Sequence, residues 1–300
     1  MTSTISVSDR IKVYDTFSFN GEWVVQIRLK YLFPYVDEFV IIESWYTHSS
    51  EKKKELFKEK YAEWFEPYAS KIHWIIIEEF PEMTSEWLEQ YKIHDWMKNN
   101  HTSWYREAYQ RDIAGTYITS KKSEGPFYIH VSDADEIPST SILQPEIRVE
   151  LYQGMEDKGQ DPLYLEMEFF YYNFHWKKKQ KWYRAYLLKD TYLTVEKTLT
   201  YWRVHHPPQY VIPSMGWHLS YFMSISDLQR KLASFAHREC DQESWRSVDH
   251  IKDCIATGMD LFNRGDMENL EPTPDELYYK FPVLFSTYIV DLDKLQESDS

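Results

Sequence analysis

The chain has 300 residues and a formal charge of −14, which excludes nucleic-acid binding through a basic surface. Its length accommodates one large α/β domain, and its two cysteines, Cys240 and Cys254, are too few for a disulfide framework and stand at no obvious metal-pair spacing. Aromatic residues make up 17%, a content that suits a carbohydrate ligand as readily as a filled core.

In chain order, Ile11–Asp15 alternates and reads as a first strand. Asn20 is placed to cap a helix over about Glu22–Phe33, with Val24, Ile27, Tyr31 and Leu32 on one face and Pro34 at its end. Phe39–Ile42 is a second strand, Ser50 to Tyr68 a charged helix, and Ile72–Ile77 a third strand. Helical spacing runs from Ser85 to Tyr117 with a break near Asn99-Asn100, and Phe127–Val131 is a fourth strand. Strands alternating with helices predict a parallel sheet covered on both faces, with ligands at the carboxyl ends of its strands. The second half reads as more β-rich. Leu163–Phe174 and Trp182–Leu188 are predicted long strands joined by a basic turn at Lys177–Lys181, and Gly216–Phe222 is another strand. Ser226 with Gln229 forms a capping box, and a last helix from about Ser244 to Thr257 stops at Gly258.

The fourth strand runs into three carboxylates, Asp133, Asp135 and Glu136, before Pro138. Such a cluster at the mouth of a sheet costs free energy unless a cation or hydrogen-bond donors compensate it, and hard divalent ions take oxygen ligands of this kind. The competing reading is a solvated acidic turn that caps the next helix. Asp15 and Glu43 also fall near strand ends. Neither a Gly-x-Gly-x-x-Gly fingerprint nor a P-loop occurs among the 8 glycines, so a nucleotide would be held mainly through a metal and side chains.

These residues carry a resemblance to glycosyltransferase family 17, typified by β-1,4-mannosyl-glycoprotein 4-β-N-acetylglucosaminyltransferase. The similar blocks are Val13–Phe17 with Phe19-Asn20, Val36–Ser44, Arg106 with Tyr109–Asp112, and Val131–Pro138. Tyr172-Asn173, Gly216–Ser220 and Ser234–Glu239 complete the set. The resemblance implies an inverting transferase of the GT-A type, with a mostly parallel Rossmann-like sheet and a more antiparallel C-terminal half. It implies a single domain over residues 1–265, nucleotide-binding over about 11–140 and acceptor-side over 141–265, followed by an acidic, peripheral extension at 266–300. Mn2+ or Mg2+ is the implied cofactor, with Asp133, Asp135 and His237 as metal ligands. Glu239 and His218 are the catalytic candidates; His218 is also the second choice as metal-binding histidine, and Glu166 and Glu168 are alternative bases. Asp15, Thr16, Phe17, Glu43, Arg111 and Asp112 are expected at the donor, and Tyr172, Trp176 and Trp217 at the acceptor.

The implied partners are a UDP-sugar, UDP-N-acetylglucosamine first and UDP-xylose second, and an oligosaccharide or glycan acceptor. A nucleotidyltransferase and a non-catalytic carbohydrate binder are the rival classes. Met1–Arg10 lacks the apolar run of a signal peptide and no stretch reaches the ~20 apolar residues of a membrane span, so a soluble, cytoplasmic protein is expected. The family's eukaryotic members carry a membrane anchor that has no counterpart here, and the loop Glu51–Lys54 is shorter and richer in lysine than theirs.

Overall fold

Four strands fall on the apolar runs: β1 (Lys12–Ser18), β2 (Glu38–Ser44), β3 (Ile72–Ile77) and β4 (Phe127–Val131). They pair in parallel in the order β4-β1-β2-β3. The computed structural model describes residues 11–90, 101–158, 162–205, 210–234, 243–265 and 270–298. The remaining strands in them are β5 (Glu136–Pro138), β6 (Leu163–Leu165), β7 (Glu168–Tyr171), β8 (Asn173–Lys177), β9 (Tyr186–Lys189), β10 (Val211–Ile212), β11 (Gly216–Ser220) and β12 (Glu271–Pro272). Two sheets result, of order β10-β6-β9-β4-β1-β2-β3 and β12-β8-β7-β11-β5. Both are mixed: β9 lies antiparallel between β4 and β6, and in the second sheet only β11 and β7 are parallel.

Strand parity explains how the first sheet is covered. Val13, Phe17, Phe39, Ile41 and Tyr128 point to one face, Tyr14, Val40, Ile42, Ile129 and Val131 to the other. The helix Val25–Leu32 covers the first face with Val25, Leu29 and Leu32. Val24, at the start of that helix, and Ile27 face instead Ile137, Phe170, Phe174 and Leu219 of the second sheet. This helix is therefore wedged between the two sheets. The opposite face of the first sheet is covered by the helix His101–Thr119 through Ala114 and Ile118.

Several sequence expectations are corrected. The single helix from Ser50 to Tyr68 is replaced by a Tyr46–Lys52 bridge, helices Phe57–Lys60 and Ala62–Phe65, and a 3-10 turn, Glu66–Lys71. The buried Glu43 carboxylate dictates this, because it accepts the backbone N–H groups of Phe57 (2.6 Å) and Lys58 (2.9 Å) and so fixes where the helix starts. The expected long strands are also broken. β7 turns into β8 at Tyr172, which takes a left-handed φ of 67°, while β9 departs to the other sheet. The lysine turn is no free hairpin tip, since Lys177 and Lys181 both pair with Glu168. Ser224, rather than Ser226, caps the helix Ile225–Ser234 by accepting the Asp227 N–H at 3.0 Å.

The segment read as a peripheral extension is part of the core. Helix Val283–Ser298 inserts Phe285 and Leu292, both 0% exposed, against Val24, Ile27 and Phe174. Asp291 and Asp293 lie on its solvent side and mask an apolar stripe at helical spacing.

Candidate active site

The Ser132–Glu136 turn joins the two sheets. It leaves β4 beside β1, where parallel neighbours run outward in both directions and where open α/β sheets bind ligands. It then enters β5, which pairs antiparallel with β11 so that Glu136 stands opposite His218. Gly216, which opens β11, has a φ of 150°, and a Cβ there would lie 2.3 Å from the Ile137 carbonyl oxygen. Only glycine lets the two strands approach this closely.

Arg28 holds the turn from inside. Its guanidinium, 0% exposed, meets Asp15 through two bonds of 2.8 and 2.6 Å and donates to Ser132 Oγ at 2.7 Å. It also donates to the carbonyls of Asp133 (2.8 Å) and Glu136 (3.1 Å), and it lies 4.3 Å from the centre of the Phe17 ring. His130 Nδ1 is 2.6 Å from the same Asp15 carboxylate. Burial opposes the charge on Asp15, yet Arg28 and His130 together bring its carboxyl down to about 2.

The three carboxylates of the turn divide their partners. Glu136 is fully buried and accepts two bonds from Arg203 (3.0 and 2.8 Å), one from Trp182 Nε1 (2.5 Å) and one from the Asp133 N–H (2.9 Å). Asp133, its side chain 44% exposed, faces Arg111 at 3.1 Å and Arg203 at 2.5 Å. Asp135 is buried, with one oxygen 3.6 Å from His218 Nε2 and the other 3.6 Å from Lys231 Nζ. Burial would raise the Asp135 carboxyl, but Lys231 and His218 hold it well below the usual carboxylate range. Against the same opposing burial, Arg203 and Arg111 lower Asp133. His218 packs in a three-ring cluster with Phe169 and Trp182, each ring centre 4.4 Å from its own, and its Nδ1 is buried without a partner.

The structure thus gathers Asp133, Asp135, His218 and Arg111 of the expected site residues, and adds Arg28, Arg203 and Lys231. Other expected residues sit elsewhere. Asp15, Thr16 and Phe17 lie within β1 and are buried, so they support the turn from beneath rather than face a donor. Glu43 is the buried helix cap described above. Asp112 accepts the Thr200 N–H at 2.7 Å and so fixes the start of the helix Leu199–His205, which carries Arg203. The three acceptor candidates are packing residues. Tyr172 is 0% exposed and donates to the Met259 carbonyl at 2.9 Å. Trp176 donates to the Ile255 carbonyl at 2.6 Å beneath Gly258, and Trp217 packs on Phe285, 5.0 Å between ring centres. Glu166 is engaged by Tyr183 and Glu168 by its lysines. His237 and Glu239 lie outside the described residues.

A cleft of about 680 Å3 opens beside the ends of β2 and β3, lined by Trp45, Tyr46, Lys52, Glu78, Glu79 and Tyr109. The helix His101–Thr119 reaches both places, with Tyr109 in the cleft and Arg111 on Asp133.

The sequence model of glycosyltransferase family 17 matches residues 4–281, nearly the whole chain and every element of the site above. The chain belongs to glycosyltransferase family 17. It is therefore a glycosyltransferase, acting between a sugar donor and an acceptor. The match runs beyond residue 265 and takes in β12 and the short helix Asp275–Tyr278. No curated protein matches this family 17 chain. Among its described residues no helix is long and apolar enough to cross a membrane.

Proposed function

We propose that the chain moves a sugar, N-acetylglucosamine foremost, from a UDP-sugar to a hydroxyl of a glycan, with inversion and with Mn2+ or Mg2+ held by Asp133 and Asp135. The observation that carries this reading is the ionised Asp135 beside the half-exposed Asp133 at the junction of two sheets. A parallel half-sheet that ends at such a pair supports a GT-A type architecture.

Asp135 is the carboxylate that suits a hard divalent ion, while Asp133 would have to share its arginine-paired oxygens with it. The Asp135 oxygens meet His218 and Lys231 only at 3.6 Å, beyond hydrogen-bond length, which leaves lone pairs for an ion. Among the described residues no group of three His, Cys, Asp or Glu side chains surrounds a common position. The ion would thus take its other oxygens from diphosphate and water, as Mg2+ does in phosphate-transfer sites and as Mn2+ tolerates. Bound there, it would neutralise charge on the departing diphosphate. Arg111 and Arg203 add fixed positive charge at the same edge.

The cleft beside β2 and β3 supports a place for the nucleoside. Glu78 and Glu79 suit ribose hydroxyls or a base N–H, and Trp45, Tyr46 and Tyr109 offer ring faces. Two carboxylates would repel a diphosphate, which leaves that group to the arginine side.

UDP release from UDP-N-acetylglucosamine should fall to background in excess chelator and return with Mn2+. Full turnover in chelator removes the metal, and pyrophosphate release would indicate nucleotidyl transfer. Calorimetric binding of a guanosine- or cytidine-linked sugar, with none of a uridine form, would overturn the donor assignment.

A further inference from the structure

We propose that Glu22 is the general base of the transfer, the carboxylate that takes the proton of the attacking acceptor hydroxyl; this assignment rests on the inverting reading above. Glu22 follows β1 on the loop Asn20-Gly21-Glu22, where Gly21 takes a left-handed φ of 88° and brings the chain back toward Arg230. With Lys231, Asp227 and Arg230 of the helix Ile225–Ser234, the loop lines a narrow cleft. Lys231, which lines this cleft with Glu22, also faces Asp135 at 3.6 Å, so the charge of one ammonium acts on both carboxylates. That places Glu22 next to the turn but outside its arginine network.

The hydrogen bonds of Glu22 suit the task. One oxygen accepts the Asn20 N–H at 2.6 Å, which fixes the carboxylate, and no other side chain of the described residues bonds to it. The neighbouring carboxylates are engaged. Asp227 is paired to Arg230 at 2.6 Å, Glu43 caps a helix, Glu136 is bound by Arg203 and Trp182, and Glu166 and Glu168 have partners of their own. Half-burial, with the charge of Asp135 nearby, raises the Glu22 carboxyl even though Lys231 and the Asn20 N–H pull the other way. Such a carboxylate is a stronger base at neutral pH than an exposed one. Lys53 and Arg230 complete the set of charges around it.

In the step itself the acceptor oxygen forms its bond to the anomeric carbon while the bond from that carbon to the diphosphate oxygen breaks. The electron pair leaves with the diphosphate, and the hydroxyl proton passes to the Glu22 carboxylate and then to solvent. The test is Glu22→Gln in the full chain, with UDP-N-acetylglucosamine, Mn2+ and a mannose-terminated oligosaccharide as probes. Turnover should fall by about 10²–10⁴-fold. The calorimetric Kd for UDP and the Tm should match the parent's. Turnover of Glu22→Gln within about threefold of the parent overturns the assignment, and so does a loss of UDP affinity equal to the loss of rate. The parent's own turnover with these probes reports on the donor and metal reading, and the ratio of variant to parent reports on Glu22.

Discussion

Asp135→Asn should lose transfer by hundreds-fold or more and should also melt earlier than the parent. The rate loss follows from removing one of two carboxylates that would hold the ion, a contribution on the order of several kcal/mol to the departing diphosphate. The stability loss reverses the expectation from sequence alone, where acidic neighbours make neutralising Asp135 relieve repulsion. In the fold its nearest partners are Lys231 and His218, each 3.6 Å away, and they hold the carboxyl well below its ordinary range. Without the charge, the half-buried Lys231 ammonium loses one of its acidic neighbours, Asp135, and keeps Glu22, at a cost of about 1–3 kcal/mol. For a chain of this length that is about 2–5 °C in Tm. The pH dependence separates this from a general packing defect. A carboxyl whose folded pKa is depressed stabilises the protein above its unfolded pKa, about 3.9, and that stabilisation fades as pH falls toward the folded value. Parent and variant should therefore differ in Tm at pH 7, and the gap should start to close only as pH falls below about 4. A constant gap across that range, or a variant that melts early yet keeps parental turnover, would make Asp135 a packing residue.

The parts of the fold legible in the sequence are those written in local pattern. β3 and β4 are apolar, β-branched runs interrupted only by His73 and His130, and their limits coincide with the expected ones. The acidic turn after β4 stood out for the same reason, because a buried strand cannot end in three carboxylates without partners. What local pattern hid is where those partners come from. Arg111, Arg203 and Lys231 reach the turn from helices well removed from it in the chain, and no periodicity links them. Acidic residues near strand ends suggest ligand-facing positions, yet Asp15 is turned inward by the parity it shares with Val13 and Phe17. Among the aromatic residues Tyr172 is fully buried, while Trp176 and Trp217 are partly buried against the core. Arg28 was the one hidden residue with a readable signal. It falls midway between Val24 and Leu32, four residues from each, in the apolar stripe of its helix. A charge on that face needs a buried counter-charge, and Asp15 is the acid that β1 offers to it.

Arg28→Met should be the most destabilising of these changes, and its consequences should separate stability from activity. Methionine fills much of the same space but leaves Asp15 buried with His130 as its remaining ionisable partner. Burial, the largest influence on His130, opposes charge on the imidazole, so His130 replaces the lost guanidinium only in part. Breaking a buried pair from one side costs about 3–5 kcal/mol. In this chain that is a Tm loss of about 5–8 °C. A double variant, Arg28→Met with Asp15→Leu, should recover most of that loss, because an apolar pair of similar volume does not need the missing charge. It should not recover turnover. The carbonyls of Asp133 and Glu136 and the Ser132 hydroxyl would still lack their donor, so the backbone that aims Asp133 and Asp135 would be free to shift. A displacement of about 1 Å at reacting groups is enough for a 10²-fold loss of rate. Urea unfolding and UDP release measured on parent, single and double variants give the two quantities independently. If the double variant regains parental turnover together with its stability, Arg28 serves the fold alone and the turn keeps its shape without it.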